Sequence, residues 1–309
     1  MRFVGIGLAL GCLLWSASGF AYCRTTTCDP TDATQHCQLD QRTQCVLTGT
    51  PLSWRSGCIT VNVQRDAAPA ARISLEAAEA SVTRAFDSWL SADCNGVRPS
   101  LEVKLGEPVT CDASEYSKIN HNANIVIFRE GVWPYEGGED ALGITRVRFD
   151  LEDNPGELWD ADIEVNAVTE PLSVGDPTPN EVDLDSLLTH EVGHLLGFGH
   201  TLDVASTMIA GYSTGSVALR TPSADDLSGM CAAYPPDRKL TRTSCEPRHG
   251  FSELCVSDQP PYVPPDDETT VAEKKSRGCT MTPHPDSPGY GLIGLLGAAL
   301  FQRVARRRR

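Results

Sequence analysis

Short runs of alternating apolar and polar residues give way twice to a helical period, and the switch points divide the chain into elements. Ile59-Thr60-Val61-Asn62-Val63, with Cys58 ahead of it, alternates as a half-buried strand does. From Ser74 to Leu90 the apolar positions Leu75, Ala78, Val82, Ala85, Phe86, Trp89 and Leu90 recur every three or four residues, which predicts a long amphipathic helix. Apolar runs over 101–105, 124–128, 142–149 and 158–165 read as four further strands. A second helix is expected from about Leu184 to Leu196. Strands interspersed with helices place this part of the chain in the α/β (α+β) class, and no internal repeat is present.

The second helix carries the chemistry. Its end is the run HEVGHLLGFGH, His190 to His200. An α-helix advances about 100° per residue, so His190 and His194 stand one turn apart on one face, where both imidazoles reach the same point. Glu191 flanks that face, placed as a base for water in an open coordination position and not as a ligand. Gly197 and Gly199 let the chain turn back and deliver His200 as a third ligand. Three neutral nitrogens with an open fourth position make a catalytic Zn²⁺ site rather than a closed structural one. His36, His121, His249 and His284 stand alone and read as ordinary surface or packed residues.

At these residues the chain resembles the metzincin metalloproteases, whose motif is H-E-x-x-H-x-x-G-x-x-H followed by a methionine turn. Met208 in STMIAGY corresponds to that turn. The matrixin branch is the nearest in pattern: Thr201 stands where it usually has serine, and Met208-Ile209-Ala210-Gly211-Tyr212 matches its Met-Tyr-Pro-x-Tyr wall segment at the first and last positions, without the proline. No tyrosine lies two residues after Met208, so the tyrosine zinc ligand of some relatives is not expected. TPSADDLSGMCAAYP resembles the matrixin closing helix, with Asp225, Asp226 and Tyr234. Its acids also suit a helix N-terminus capped by Ser223.

The resemblance implies a twisted five-stranded mixed sheet, two long helices above a zinc cleft, and a short C-terminal subdomain ending in the closing helix. It implies one catalytic Zn²⁺ on His190, His194 and His200, with Glu191 as general base. Substrate would pair with the edge of the fourth strand at Leu142, Gly143, Ile144 and Thr145, and Tyr212 would wall the pocket. Matrixins also hold a structural zinc through several histidines. His121 is the single histidine between Cys58 and Thr189, so a second zinc is not expected.

Composition changes the picture at both ends. Arg2, the apolar stretch Phe3–Trp15 and Gly19-Phe20-Ala21 read as a secretory signal cleaved after Ala21. Of 12 cysteines, Cys12 falls in that signal and Cys279 in the C-terminal tail. The remaining even set suits disulfides in an exported protein, with Cys94–Cys111 expected as one pair. Two pairs among Cys23, Cys28, Cys37 and Cys45 would leave no cysteine free to block the zinc. A net charge of −15 argues against nucleic-acid binding. Asp150, Glu152, Asp153, Asn154 and Glu157 suit a Ca²⁺ site, although Pro155-Gly156 suits a plain hairpin turn equally.

The expected organisation is a signal (1–21), a cysteine-rich lead (22–48), the catalytic domain (49–236), a Cys/Pro-rich acidic linker (237–278) and a tail (279–309). That tail, with Cys279, an apolar run from Gly289 to Phe301 and terminal arginines, resembles the C-terminal sorting tails of myxobacterial surface proteins. The resemblance implies removal near Cys279 and display on the outer surface, with membrane contact through the tail alone. The function expected is a monomeric zinc endopeptidase acting on extracellular proteins or peptides. The alternatives are a surface binding or adhesion protein on a dead protease scaffold, and a zinc esterase or deacetylase. Neither accounts for Glu191 together with Met208 and the closing helix.

Overall fold

The computed structural model describes residues 22–114, 116, 123–135 and 140–245, and the backbone of 277–283. The signal segment with Cys12, residues His121, His249 and His284, Cys255, most of the linker and the apolar run 289–301 lie outside the described residues.

Each expected element forms within a residue or two of its predicted bounds. β1 (Cys58–Val63) leads to α1 (Leu75–Leu90), whose N-terminus is capped by the Ser74 side chain accepting from Ala77 N at 3.2 Å. Four strands follow: β2 (Glu102–Leu105), β3 (Asn124–Arg129), β4 (Gly143–Phe149) and β5 (Leu158–Asn166). Then come α2 (Leu184–Leu195), the short β6 (Gly211–Tyr212), α3 (Ala224–Ala233) and β7 (Arg277–Pro283). The expected five strands form a mixed sheet ordered β4-β5-β3-β1-β2, with β4 the antiparallel member. Beyond β4 the sheet continues through β7 to β6, two strands that the apolar pattern does not announce.

α1 lays Ala78, Val82, Ala85, Phe86 and Trp89 into the core shared with α2, where Leu184, Leu187, Leu188, Val192 and Leu195 are buried. Removing these side chains from water is the main force holding both helices to the sheet. Arg84 on α1 forks onto both carboxylate oxygens of Asp185 on α2, at 2.8 and 2.9 Å, and fixes their register. β5 alternates Ala161, Ile163 and Val165 toward the apolar core with Asp160, Asp162 and Glu164 on the other face, and all six are buried. Arg129 donates to Glu164 at 2.6 Å, and Ser114 donates to Asp162 at 2.8 Å, so this acidic row is covered by chain rather than water.

Disulfides Cys23–Cys45 and Cys28–Cys37 staple the N-terminal segment and occupy all four of its cysteines. Cys58–Cys245 ties β1 to the chain after α3. Cys94 bonds Cys231 rather than the expected Cys111. The expectation failed because proximity to a strand says nothing of which helix end faces it: Cys94 follows α1 and meets α3 across the core. Cys111 is disulfide-bonded as well.

The N-terminal segment is not a separate staple. Cys23–Arg24 pairs antiparallel with Phe198–Gly199, Arg24 Nε donates to Gly197 O at 3.1 Å, and Tyr22 packs against Gly229 of α3. It therefore braces the loop between His194 and His200. The expected acidic cluster forms the β4–β5 turn: Asp150 Oδ1 accepts from Glu152 N at 2.7 Å, and Asn154 Oδ1 accepts from Arg55 at 3.0 Å.

Candidate metal centre and cleft

α2 begins with Asp183 as N-cap, its carboxylate accepting from Ser186 N at 2.9 Å and paired with Arg220 at 2.6 Å. The helix runs inward until His190, Glu191 and His194 are wholly buried. It ends where Gly197 adopts φ +88°, a conformation in which a Cβ would strike Leu52 O. That turn returns the chain and brings His200, partly exposed, onto the other two histidines.

The three Nε2 atoms converge: His190 and His194 are 3.1 Å apart, His194 and His200 3.1 Å, and His190 and His200 3.2 Å. Tetrahedral ligands about 2.0–2.1 Å from a zinc ion stand roughly 3.3 Å from each other, so the triangle fits one such ion. The tautomers fit too. His190 Nδ1 lies 2.7 Å from Thr207 O and His194 Nδ1 2.8 Å from Phe198 O. A carbonyl only accepts, so both Nδ1 atoms carry the proton and both Nε2 lone pairs face the shared point. Burial lowers His190 to about 3, His200 to about 4, and His194 well below the ordinary imidazole value, which keeps the rings neutral and ligand-ready. Among the described residues, the other cluster of metal-ligand types is Cys58, Glu102 and Cys245, and its sulfurs are spent on a disulfide.

Glu191 sits beside this triangle and against β4. The Thr145 hydroxyl donates to its Oε2 at 2.6 Å, while Oε1 has no hydrogen-bond partner. Burial raises the carboxyl to about 8, with the Thr145 bond pulling the other way. A cation on the histidines would also pull it down. The β4 residue facing the carboxylate is Gly143: a Cβ there would stand 3.0 Å from Oε1 and 3.2 Å from the carboxyl carbon. Gly143 and Thr145 thus clasp Glu191 from the strand side.

Met208 packs against Gly193 of α2. A Cβ on Gly193 would run into its sulfur and into the Trp89 ring, so the glycine inside α2 is what lets the methionine turn approach. Trp89 in turn donates to Thr189 O at 2.8 Å and stacks on Phe198 with centroids 4.9 Å apart. Asp226, buried in the first turn of α3, accepts from Ser206 Oγ at 2.6 Å, Thr207 N at 2.9 Å and Ser223 N at 2.9 Å. One carboxylate therefore fixes both the capping box of α3 and the loop whose carbonyl orients His190. Tyr234 ends α3 by donating to Leu196 O at 2.8 Å.

Two expected substrate residues have a different side-chain role. Tyr212 is buried, accepting from Asp183 N at 2.9 Å and donating to Ser216 O at 2.6 Å, so its phenol anchors the start of α2. Its backbone pairs with β7. The Thr145 side chain holds Glu191, and the β4 backbone is what forms the strand edge. Leu142 and Ile144 are buried at the same edge. Pattern reading reached these positions but not the hydrogen bonds that assign their side chains. A glycine in the interior of a helix was the available signal for Gly193. Nothing in the sequence announces that Thr207 O and Phe198 O orient His190 and His194.

A 61-residue stretch of the chain is 41% identical to Metalloendoproteinase 1-MMP of Arabidopsis thaliana, covering 19% of this chain and 16% of that protein. Residues 112–235, which span β3 through α3 with all three histidines, Glu191 and Met208, match the family model of the matrixins, and the mixed sheet and helices around them form an α/β fold consistent with a matrixin catalytic domain.

Proposed function

We propose that the protein is a zinc metalloendopeptidase with Glu191 as general base. The observation that carries this reading is the pairing of a three-Nε2 triangle with a buried carboxylate whose one oxygen is tied to Thr145 and whose other is left without a partner. Zinc held by His190, His194 and His200 would supply a Lewis acid and a water of lowered pKa in the open position. The free Oε1 of Glu191 takes the proton as water attacks a peptide carbonyl and returns it to the leaving amine. Thr145 keeps the carboxylate oriented for both transfers.

A peptide substrate reaches these groups by adding a strand to the β4 edge at Gly143–Thr145, with the β6 backbone at Gly211–Tyr212 as the opposite wall. Extracellular proteins are the proposed substrates, and export through the leader at 1–21 is supported by the disulfide content. The test is cleavage of denatured casein by zinc-loaded protein. Cutting that a chelator abolishes and zinc restores supports the reading. A folded, zinc-loaded protein that leaves casein and unstructured peptides whole favours a binding role on a protease scaffold.

A further inference from the structure

The edge strand of a peptide-binding cleft is expected to stand open, yet here β4 already has a neighbour. β7 pairs antiparallel with it, Arg277 opposite Val147, Cys279 opposite Thr145 and Met281 opposite Gly143. The next two residues leave β4 and pair in parallel with β6, Thr282 opposite Gly211 and Pro283 opposite Tyr212. Seven consecutive residues thus cross from one wall of the cleft to the other with no gap in pairing. The crossing point lies at Met281, opposite the glycine whose Cα hydrogens face the Glu191 carboxylate. The backbone about Met281 is therefore the stretch of β7 carried past the base.

We propose that residues 277–283 are a substrate strand of the chain's own cleft, cut in cis at Thr280–Met281 or Met281–Thr282. This rests on the endopeptidase reading above and names a first substrate for it. The reaction needs only water: its oxygen joins the carbonyl carbon of residue 280 or 281, the C–N bond breaks, and the amine leaves protonated as the new N-terminus. Access in cis is easy. Residues 246–276 run between Cys245, anchored to Cys58, and Arg277, and extended they reach on the order of 100 Å, more than the width of a domain of this size. The cut would leave Cys279 on the catalytic body and separate it from the apolar run 289–301 and the arginines that follow.

The test uses the zinc-loaded full chain, followed by intact mass and N-terminal sequencing, with casein cleavage measured in parallel. Wild type is expected to release a fragment beginning at Met281 or Thr282, with a half-time unchanged over a tenfold range of protein concentration. Glu191→Ala is expected to stay whole, and in it the amides of 143–147 should exchange at least tenfold more slowly than in Glu191→Ala with Thr280→Pro and Thr282→Pro added, since proline removes strand donors. Casein cut while 280–282 stays intact overturns the proposal and spares the endopeptidase reading. So does a rate that scales with protein concentration, or β4 amides indifferent to the prolines. Failure to cut either substrate overturns both.

Discussion

Thr145 is the residue whose side chain holds the carboxylate of Glu191, the proposed base. Its hydroxyl donates to Glu191 Oε2 at 2.6 Å inside the core. Thr145→Val keeps the shape and removes the bond. A hydrogen bond to a charged group contributes about 1.5–3 kcal/mol, so kcat is expected to fall roughly 10- to 100-fold with zinc content unchanged. Metal analysis beside steady-state kinetics checks both halves. Gly143→Ala should act on the same carboxylate from the other side, because its methyl would come within 3.0 Å of Oε1. At this scale the three converging histidines and the adjacent Glu191 were legible in the sequence, since their spacing on a helix is itself the geometry. It did not show Thr145 holding Glu191, because that contact joins residues far apart in the chain and needs the register of β4 against α2.

Among the elements, α3 and β5 carry the clearest consequences. Asp226→Ala removes the shared acceptor of Ser206, Thr207 and Ser223 and leaves their buried donors unpaired. A loss of about 2–4 kcal/mol is expected in denaturant unfolding, with weakened zinc retention because Thr207 O orients His190. On β5, burial raises Asp160 well above its ordinary value, with the Asp162 charge adding to it and Arg148 opposing. Burial likewise raises Asp162, to about 7. Raised carboxyls hold protons that the unfolded chain has released, so their contribution to stability is full at acid pH and is lost as pH rises from about 4 through 7. Asp160→Asn should flatten that decline, and urea unfolding of variant and wild type at pH 5 and pH 8 measures it. A smaller loss of stability between the two pH values in the variant is the expected result. The bounds of β1 to β5, α1 and α2 were legible from apolar period, and α3 from its resemblance and its Ser223 cap. β6 and β7 were not, because one is two residues long and the other gains its strand character by pairing with β4.

Across the whole molecule, the cleft is held by pieces distant in sequence: the N-terminal segment braces the loop that carries His200, Cys94–Cys231 joins α1 to α3, and β7 closes the β4 edge. Cys94→Ser with Cys231→Ser is expected to cost about 2–5 kcal/mol in thermal or denaturant unfolding while leaving the histidine geometry in place. Such long-range ties are what a linear pattern reports least well, as the misplaced partner of Cys94 shows. The role proposed for Glu191 is that of a base and not a ligand, on a three-histidine zinc site. It is tested most directly by zinc content and peptide cleavage of Glu191→Ala beside His194→Ala. Glu191→Ala should keep its zinc while turnover falls by at least roughly 10²-fold, and His194→Ala should lose both metal and activity. Cleavage at the wild-type rate by Glu191→Ala, or loss of its zinc, would contradict the account.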